Sequence, residues 1–280
     1  MRRIWLVIAL VTITVIIAVP FLPGRYPQRA WRVMKRQWLI ATGGMYDVGG
    51  YYLRIECRGN GSTVVFDSGL SQPRETWGVV PDEVSKFARA CTYDRAGVGE
   101  SDRAGFIRTS EDVVRELKAL LEKAGESGPF ILVGHSFGGQ NVRVFAARFP
   151  QETRSIVLVD PTHPNEYQSL NQFRTDEVQA SDVELMRGDN PEGLDLLASQ
   201  SILRNASEST RVPTTVLSST VYEASTVPDE QKVRRELQLD IVRTLHSTHH
   251  QWVEGSSHFI QQDKPQVVIA AVHDLLLDSQ

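Results

Sequence analysis

The pattern of apolar and polar positions separates an apolar start, a basic connector and a long alternating body. From Ile4 to Leu22 the chain is almost unbroken apolar, with Thr12 and Thr14 the only polar side chains. A helix that crosses a bilayer needs roughly 20 apolar residues. Trp5 and Tyr26 lie near the two ends of the run, where aromatic rings favour the membrane interface. The run therefore predicts a transmembrane anchor over residues 1–24. A cleaved signal peptide would need a small-residue cleavage site, and Ala18 to Gly24 offers no Ala-x-Ala pattern. Pro23, Gly24 and Pro27 break that helix. Residues 25–45 form a basic juxtamembrane segment, in which Ala30 to Ile40 reads as a short amphipathic helix.

The body, residues 46–280, alternates short apolar strands with helical stretches. Strands are expected at Tyr51–Cys57, Thr63–Phe66, Cys91–Tyr93, Phe130–Val133, Ser155–Val159, Thr214–Leu217 and His250–Val253. Val113, Val114, Leu117, Leu120 and Leu121 recur at helical spacing, so Ser110–Lys123 is a helix capped at Thr109 or Ser110. Gly138–Arg148 and Pro265–Leu277 are two further helices. Alternation of this kind implies an α/β fold with a mostly parallel sheet covered by helices. Residues 161–212 interrupt it with polar sequence and two weakly helical stretches. A structureless loop of that length is improbable in a compact domain, so the segment reads as a helical lid.

Composition changes this picture little. Of 280 residues, 41% are apolar and 23% charged, and the net charge is -4, which gives no basic stripe and argues against nucleic acid as a partner. Two cysteines, Cys57 and Cys91, are too few for a disulfide scaffold and match no zinc spacing, so no metal and no cofactor is expected. Around the apolar run, Arg2 and Arg3 argue for a cytoplasmic N-terminus, while Arg25, Arg29, Arg32, Lys35 and Arg36 on the far side pull the other way. The run's resemblance to a signal anchor favours placing residues 46–280 outside the cytoplasm.

The chemistry concentrates at Gly134-His135-Ser136-Phe137-Gly138, which follows an apolar strand and precedes a helix. In that setting a G-x-S-x-G sequence makes a sharp turn with the serine at its apex, its hydroxyl lifted above the sheet at a helix N-terminus. A serine hydroxyl needs a base. Among seven histidines, His135 sits inside the turn, His246, His249 and His250 cluster beside the last strand, and His273 lies in the terminal helix. His258 stands in a short loop after the last strand, at the sheet edge where a base belongs.

These signals, with Asp67-Ser68-Gly69-Leu70 after an early strand, Tyr93 to Ser101 in the place of an Asp-x-Arg-Gly-x-Gly-x-Ser segment, and Gly255-Ser256-Ser257-His258-Phe259, resemble the α/β-hydrolase superfamily over roughly Tyr46 to Leu277. The resemblance implies Ser136 as nucleophile, His258 as base, and backbone N–H groups of Leu70 and Phe137 as the oxyanion hole. Ser68 stands where the family usually has histidine. The resemblance leaves two candidates for the acid. The loop after Leu217 lacks the usual Gly-x-x-Asp and offers Glu223; the end of the preceding strand offers Asp160. Asp160 is preferred, since it directly ends an apolar strand and Pro161 limits its backbone to extended conformations. Asp94 and Arg95 are expected to brace a turn as an ion pair, and Trp77 to be core or pocket wall. The family's strand order puts Cys57 beside Cys91, as a disulfide or as two buried thiols.

The implied function is a serine hydrolase that cleaves a small-molecule carboxylic ester or related acyl bond through an acyl-enzyme. A serine at the turn argues against dehalogenase and epoxide hydrolase chemistry, which use aspartate there. The alternative is a catalytically silent ligand-binding module on the same scaffold.

Overall fold

A computed structural model describes residues 28–42, 44–207, 212–221, 228–245 and 249–277. The expected anchor, residues 1–24, and Glu223 lie outside them. No helix among the described residues is long and apolar enough to cross a membrane. The chain divides into two units after Met45. The first contributes helix α1, Gln28–Thr42, over the basic amphipathic segment, with the Lys35 ammonium 5.1 Å from the centre of the Trp31 ring.

The second unit is built on one sheet in the order β1-β2-β4-β3-β5-β6-β7-β8. Its strands are β1 Met45–Asp47, β2 Tyr52–Arg58, β3 Thr63–Asp67, β4 Arg89–Tyr93, β5 Phe130–His135, β6 Thr153–Val159, β7 Thr214–Ser219 and β8 His249–Val253. β2 runs antiparallel to β4, and every pairing from β4 through to β8 is parallel. The strands β3, β5 and β7 are buried along their whole length, as a sheet covered on both faces requires.

Alternate residues on those strands feed two cores. Val65, Leu132, Ile156, Leu158 and Val216 pack with α3 (Ser110–Lys123), α4 (Phe137–Arg148) and α7 (Leu196–Ser207). Val64, Phe66, Ile131, Val133, Val157 and Leu217 face the other way, against α2 (Val80–Val84) and α10 (Pro265–Leu277). The period-2 side-chain alternation of a strand divides one apolar run between two faces. Helix α3 starts at the expected residue, where the Asp112 carboxylate accepts the Thr109 N–H at 2.9 Å. Trp77 is buried in the second core, 5.1 Å from Phe66 between ring centres.

Cys57 and Cys91 face each other across the antiparallel β2–β4 pair with Cα atoms 4.0 Å apart, and are joined as a disulfide. The lid has three helices rather than two: α5 Glu166–Asn171, α6 Asp176–Met186 and α7. Two more elements carry no readable pattern in the sequence. α8, Pro228–Thr244, fully buries only Gln238 and Ile241, and its apolar stripe is no more than Val233, Leu237 and Ile241 among charged residues. α9, Ile260–Asp263, is a single turn after the His258 loop.

Candidate active site

The turn between β5 and α4 holds Ser136 at φ 52 and ψ -118, a region L-residues rarely occupy. The flanking glycines make this turn sterically accessible. A Cβ on Gly134 would lie 2.5 Å from the Gly138 carbonyl oxygen, and one on Gly138 would run into the Asp67 carbonyl. The turn is tied to the sheet on both sides: Ser136 N–H donates to Val159 O at 3.1 Å, and Thr162 N–H donates to Ser136 O at 3.2 Å. Phe137 opens α4, so its N–H is among the first-turn donors without an intrahelical acceptor.

β6 ends at Val159, which places Asp160 beside the serine turn. Its φ is 43, so the extended backbone expected from Pro161 is overturned. The cause lies in its neighbours. Asp160 N–H donates to Leu217 O at 2.8 Å, Ser219 N–H donates to Asp160 Oδ1 at 2.9 Å, and Ser219 Oγ–H donates to Oδ2 at 3.0 Å. Three hydrogen bonds to β7 fix a conformation that local preference would not choose. Asp160 Oδ2 lies 2.7 Å from His258 Nδ1.

His258 stands on a loop braced by Asp263, whose Oδ2 accepts Ser257 N–H at 2.8 Å and Ser257 Oγ–H at 2.7 Å. Burial disfavours the His258 imidazolium. The Asp160 hydrogen bond and charge, with Glu166 further off, outweigh burial and raise its pKa above the ordinary value. Its ring packs 4.6 Å from that of His135. His135 is a structural partner: buried, with Nε2 2.9 Å from the His258 carbonyl and a pKa lowered by burial, then by His258, to about 3. A neutral ring donates one hydrogen bond to that carbonyl.

Ser136, Asp160 and His258 line one cavity of about 350 Å³, together with Glu166, Arg234 and Leu237. Leu70, Phe137 and Ser136 line a second of about 300 Å³, floored by Tyr167, Leu170 and Met186. Ser136 and Glu166 are common to both. The Ser68–Leu70 loop is held by a buried ion network. Arg95 bonds Asp67, donates to Ser68 O and Gly69 O at 2.6 Å, and grips Glu192 of the lid at 2.8 Å through Nε and Nη2. Glu192 in turn accepts Ser71 N–H at 2.6 Å. The expected Asp94–Arg95 pair is thus corrected. Asp94 pairs instead with Arg74, at 2.6 Å, because each side chain reaches a different buried partner.

Sequence reasoning did not single out Ser219, Glu192, Glu166, Arg234 or Asp263. Ser219, Glu192, Glu166 and Arg234 make contacts distant in sequence, Asp263 braces a loop six residues before it, and none stands at a motif spacing.

The family model described as the alpha/beta hydrolase fold matches residues 64–279. The chain belongs to the α/β-hydrolase fold family. The Bacillus subtilis (strain 168) protein YqjL is 26% identical over 244 residues, spanning 86% of this chain and 94% of its own. An esterase from Thermogutta terrifontis superposes with a TM-score of 0.60 at 20% identity, over 84% of this chain and 97% of its own. The enol-lactonase from Burkholderia xenovorans LB400 gives 0.62 at 19% identity, over 83% and 99%. At such identities the two structures are likenesses of fold alone.

Proposed function

We propose that this α/β-hydrolase is a serine hydrolase that cleaves a carboxylic ester or related acyl bond. The observation that carries the reading is the Asp160 Oδ2 to His258 Nδ1 contact of 2.7 Å beside a strained serine in one cavity. With Nδ1–H donated to the carboxylate, Nε2 is the basic nitrogen. His258 takes the Ser136 hydroxyl proton through Nε2 as Oγ attacks the carbonyl carbon. Charge that develops on the carbonyl oxygen meets the N–H groups of Phe137 and Leu70, where one such donor is worth on the order of 100- to 1000-fold in rate. His258 then hands its proton to the leaving oxygen as the carbon–oxygen bond breaks, giving an acyl-serine. Water attacks that acyl-serine with His258 again as base, which releases the acid and restores Ser136.

On this reading the two cavities take the two halves of the substrate. The leaving group departs toward the proton donor, so it occupies the cavity lined by His258. The acyl group extends past Leu70 and Phe137 into the second cavity, over Leu170 and Met186.

The test is Ser136→Ala assayed on p-nitrophenyl butyrate. Turnover falls by about 10⁶-fold while the circular dichroism spectrum and melting temperature stay near wild type. Turnover retained in the folded variant would remove Ser136 from the nucleophile role.

A further inference from the structure

The two cavities that meet at Ser136 differ in how their charges are matched. In the acyl cavity Arg174 and Asp182 are paired with each other, and the third charged side chain is Glu166, which borders both cavities. In the leaving-group cavity the charges beyond the Asp160–His258 couple are Glu166 and Arg234. Arg234 is turned toward Glu230, one turn away on α8, which accepts from its Nη2 at 2.8 Å and from its Nε at 3.1 Å. Its remaining contact to Glu166, from Nη1 to Oε1, is 3.5 Å, at the limit of a hydrogen bond. Glu166 also accepts the His163 N–H, at 3.2 Å from Oε2.

An ionised carboxylate accepts about four hydrogen bonds. Glu166 has two long ones among the described residues, and burial raises its pKa against the pull of Arg234. Its side chain retains 31% exposure, and it reaches the cavity at the point where both chambers border Ser136. Glu166, Glu230 and Arg234 together carry one net negative charge. A cationic N–H donor in this cavity would give Glu166 a short hydrogen bond, since a charge-assisted N⁺–H···O⁻ contact is the strongest pairing open to a half-buried carboxylate. The walls beside it, Val221, Leu237 and Phe259, are apolar and suit the carbon chain or the methyl groups that carry such a donor.

We propose that Glu166 selects substrates whose leaving alcohol carries a protonated amine, joined to the ester oxygen by a short carbon chain. The inference rests on the serine-hydrolase reading and on the placing of the leaving group beside His258. Bond changes are those of ester hydrolysis. The ammonium neither gives up its proton nor changes oxidation state; it fixes the alcohol so that the leaving oxygen faces His258 Nε2.

The experiment compares two butyrate esters that differ by one atom. One is the 2-(dimethylamino)ethyl ester, protonated at neutral pH; the other is the isosteric, uncharged 3-methylbutyl ester. The expected result is a ratio of kcat/KM of about 10 or more in favour of the amine, which falls toward one in Glu166→Gln. Any effect of the substitution common to both esters cancels in the ratio. A wild-type ratio near or below one, or a ratio that Glu166→Gln leaves unchanged, overturns the proposal. Hydrolysis of the uncharged ester that depends on Ser136 shows that the underlying hydrolase reading stands even then. A third ester, choline butyrate, has the charge without the N–H. A preference for choline butyrate equal to that for the dimethylamino ester overturns the donor and leaves only charge.

Discussion

At the residue scale, the catalytic proposal turns on which carboxylate orients His258. Asp160 is buried and spends its oxygens on Ser219 and His258. Three hydrogen bonds at one carboxylate leave little freedom to reorient. Removing the acid of such a triad drops turnover by ~10⁴-fold. Asp160→Asn should therefore be crippled on p-nitrophenyl butyrate, while Glu223→Gln should stay within a few-fold of wild type; the reverse pattern would move the acid to Glu223. The pH profile carries the same information. His258 must be neutral to accept the Ser136 proton, so kcat/KM rises with pH through the His258 pKa. That pKa is raised in the folded protein, so the wild-type limb should lie above the ordinary histidine value of about 6.5. Loss of the Asp160 charge should move the limb down in whatever activity Asp160→Asn retains. The choice between Asp160 and Glu223 was hard to read in the sequence for a physical reason. β6 and β7 are parallel neighbours, with Val159 opposite Leu217, so their ends project toward the same loop. Either end can present a carboxylate to the imidazole, and the polar residue at the other end, here Ser219, supports it.

At the scale of elements, legibility followed how local the cause is. The serine turn, α3 and the buried strands are dictated by nearby residues: two glycines that admit a strained turn, a Thr109–Asp112 cap, and apolar runs of the right period. α8 is hard to read because its apolar stripe is thin and only two of its residues are fully buried. With α8 unread, Arg234 is missed, and with it a wall of the cavity lined by His258. Helical structure is expected in residues 161–212 and is found there, but the tie of this segment to the Ser68–Leu70 loop through Glu192 and Arg95 joins residues 97 apart in sequence. The β2–β4 disulfide is the other long-range tie. It closes a loop with a sequence separation of 34, for which chain entropy gives about 4 kcal/mol of stabilisation. Reduction with dithiothreitol, followed by urea unfolding, should show a loss of about 2–4 kcal/mol; an unchanged midpoint would mean that the bond constrains nothing the fold does not already hold.

At the scale of the whole molecule, the disulfide bears on where the protein works. Such bonds persist in oxidising compartments, and residues 1–24 carry the apolar run expected of an anchor. On these two grounds we propose a hydrolase held at a membrane with residues 46–280 on the extracytoplasmic side. Full-length protein should stay with the membrane fraction through carbonate extraction; release into the supernatant would contradict the anchor. The most direct measurement concerns the nucleophile itself. Native protein is treated with a fluorophosphonate probe, digested, and the modified residue located by mass spectrometry. Stoichiometric modification of Ser136 that is lost in His258→Ala is the expected result. An unmodified Ser136 in folded protein, or equal labelling without His258, would contradict it.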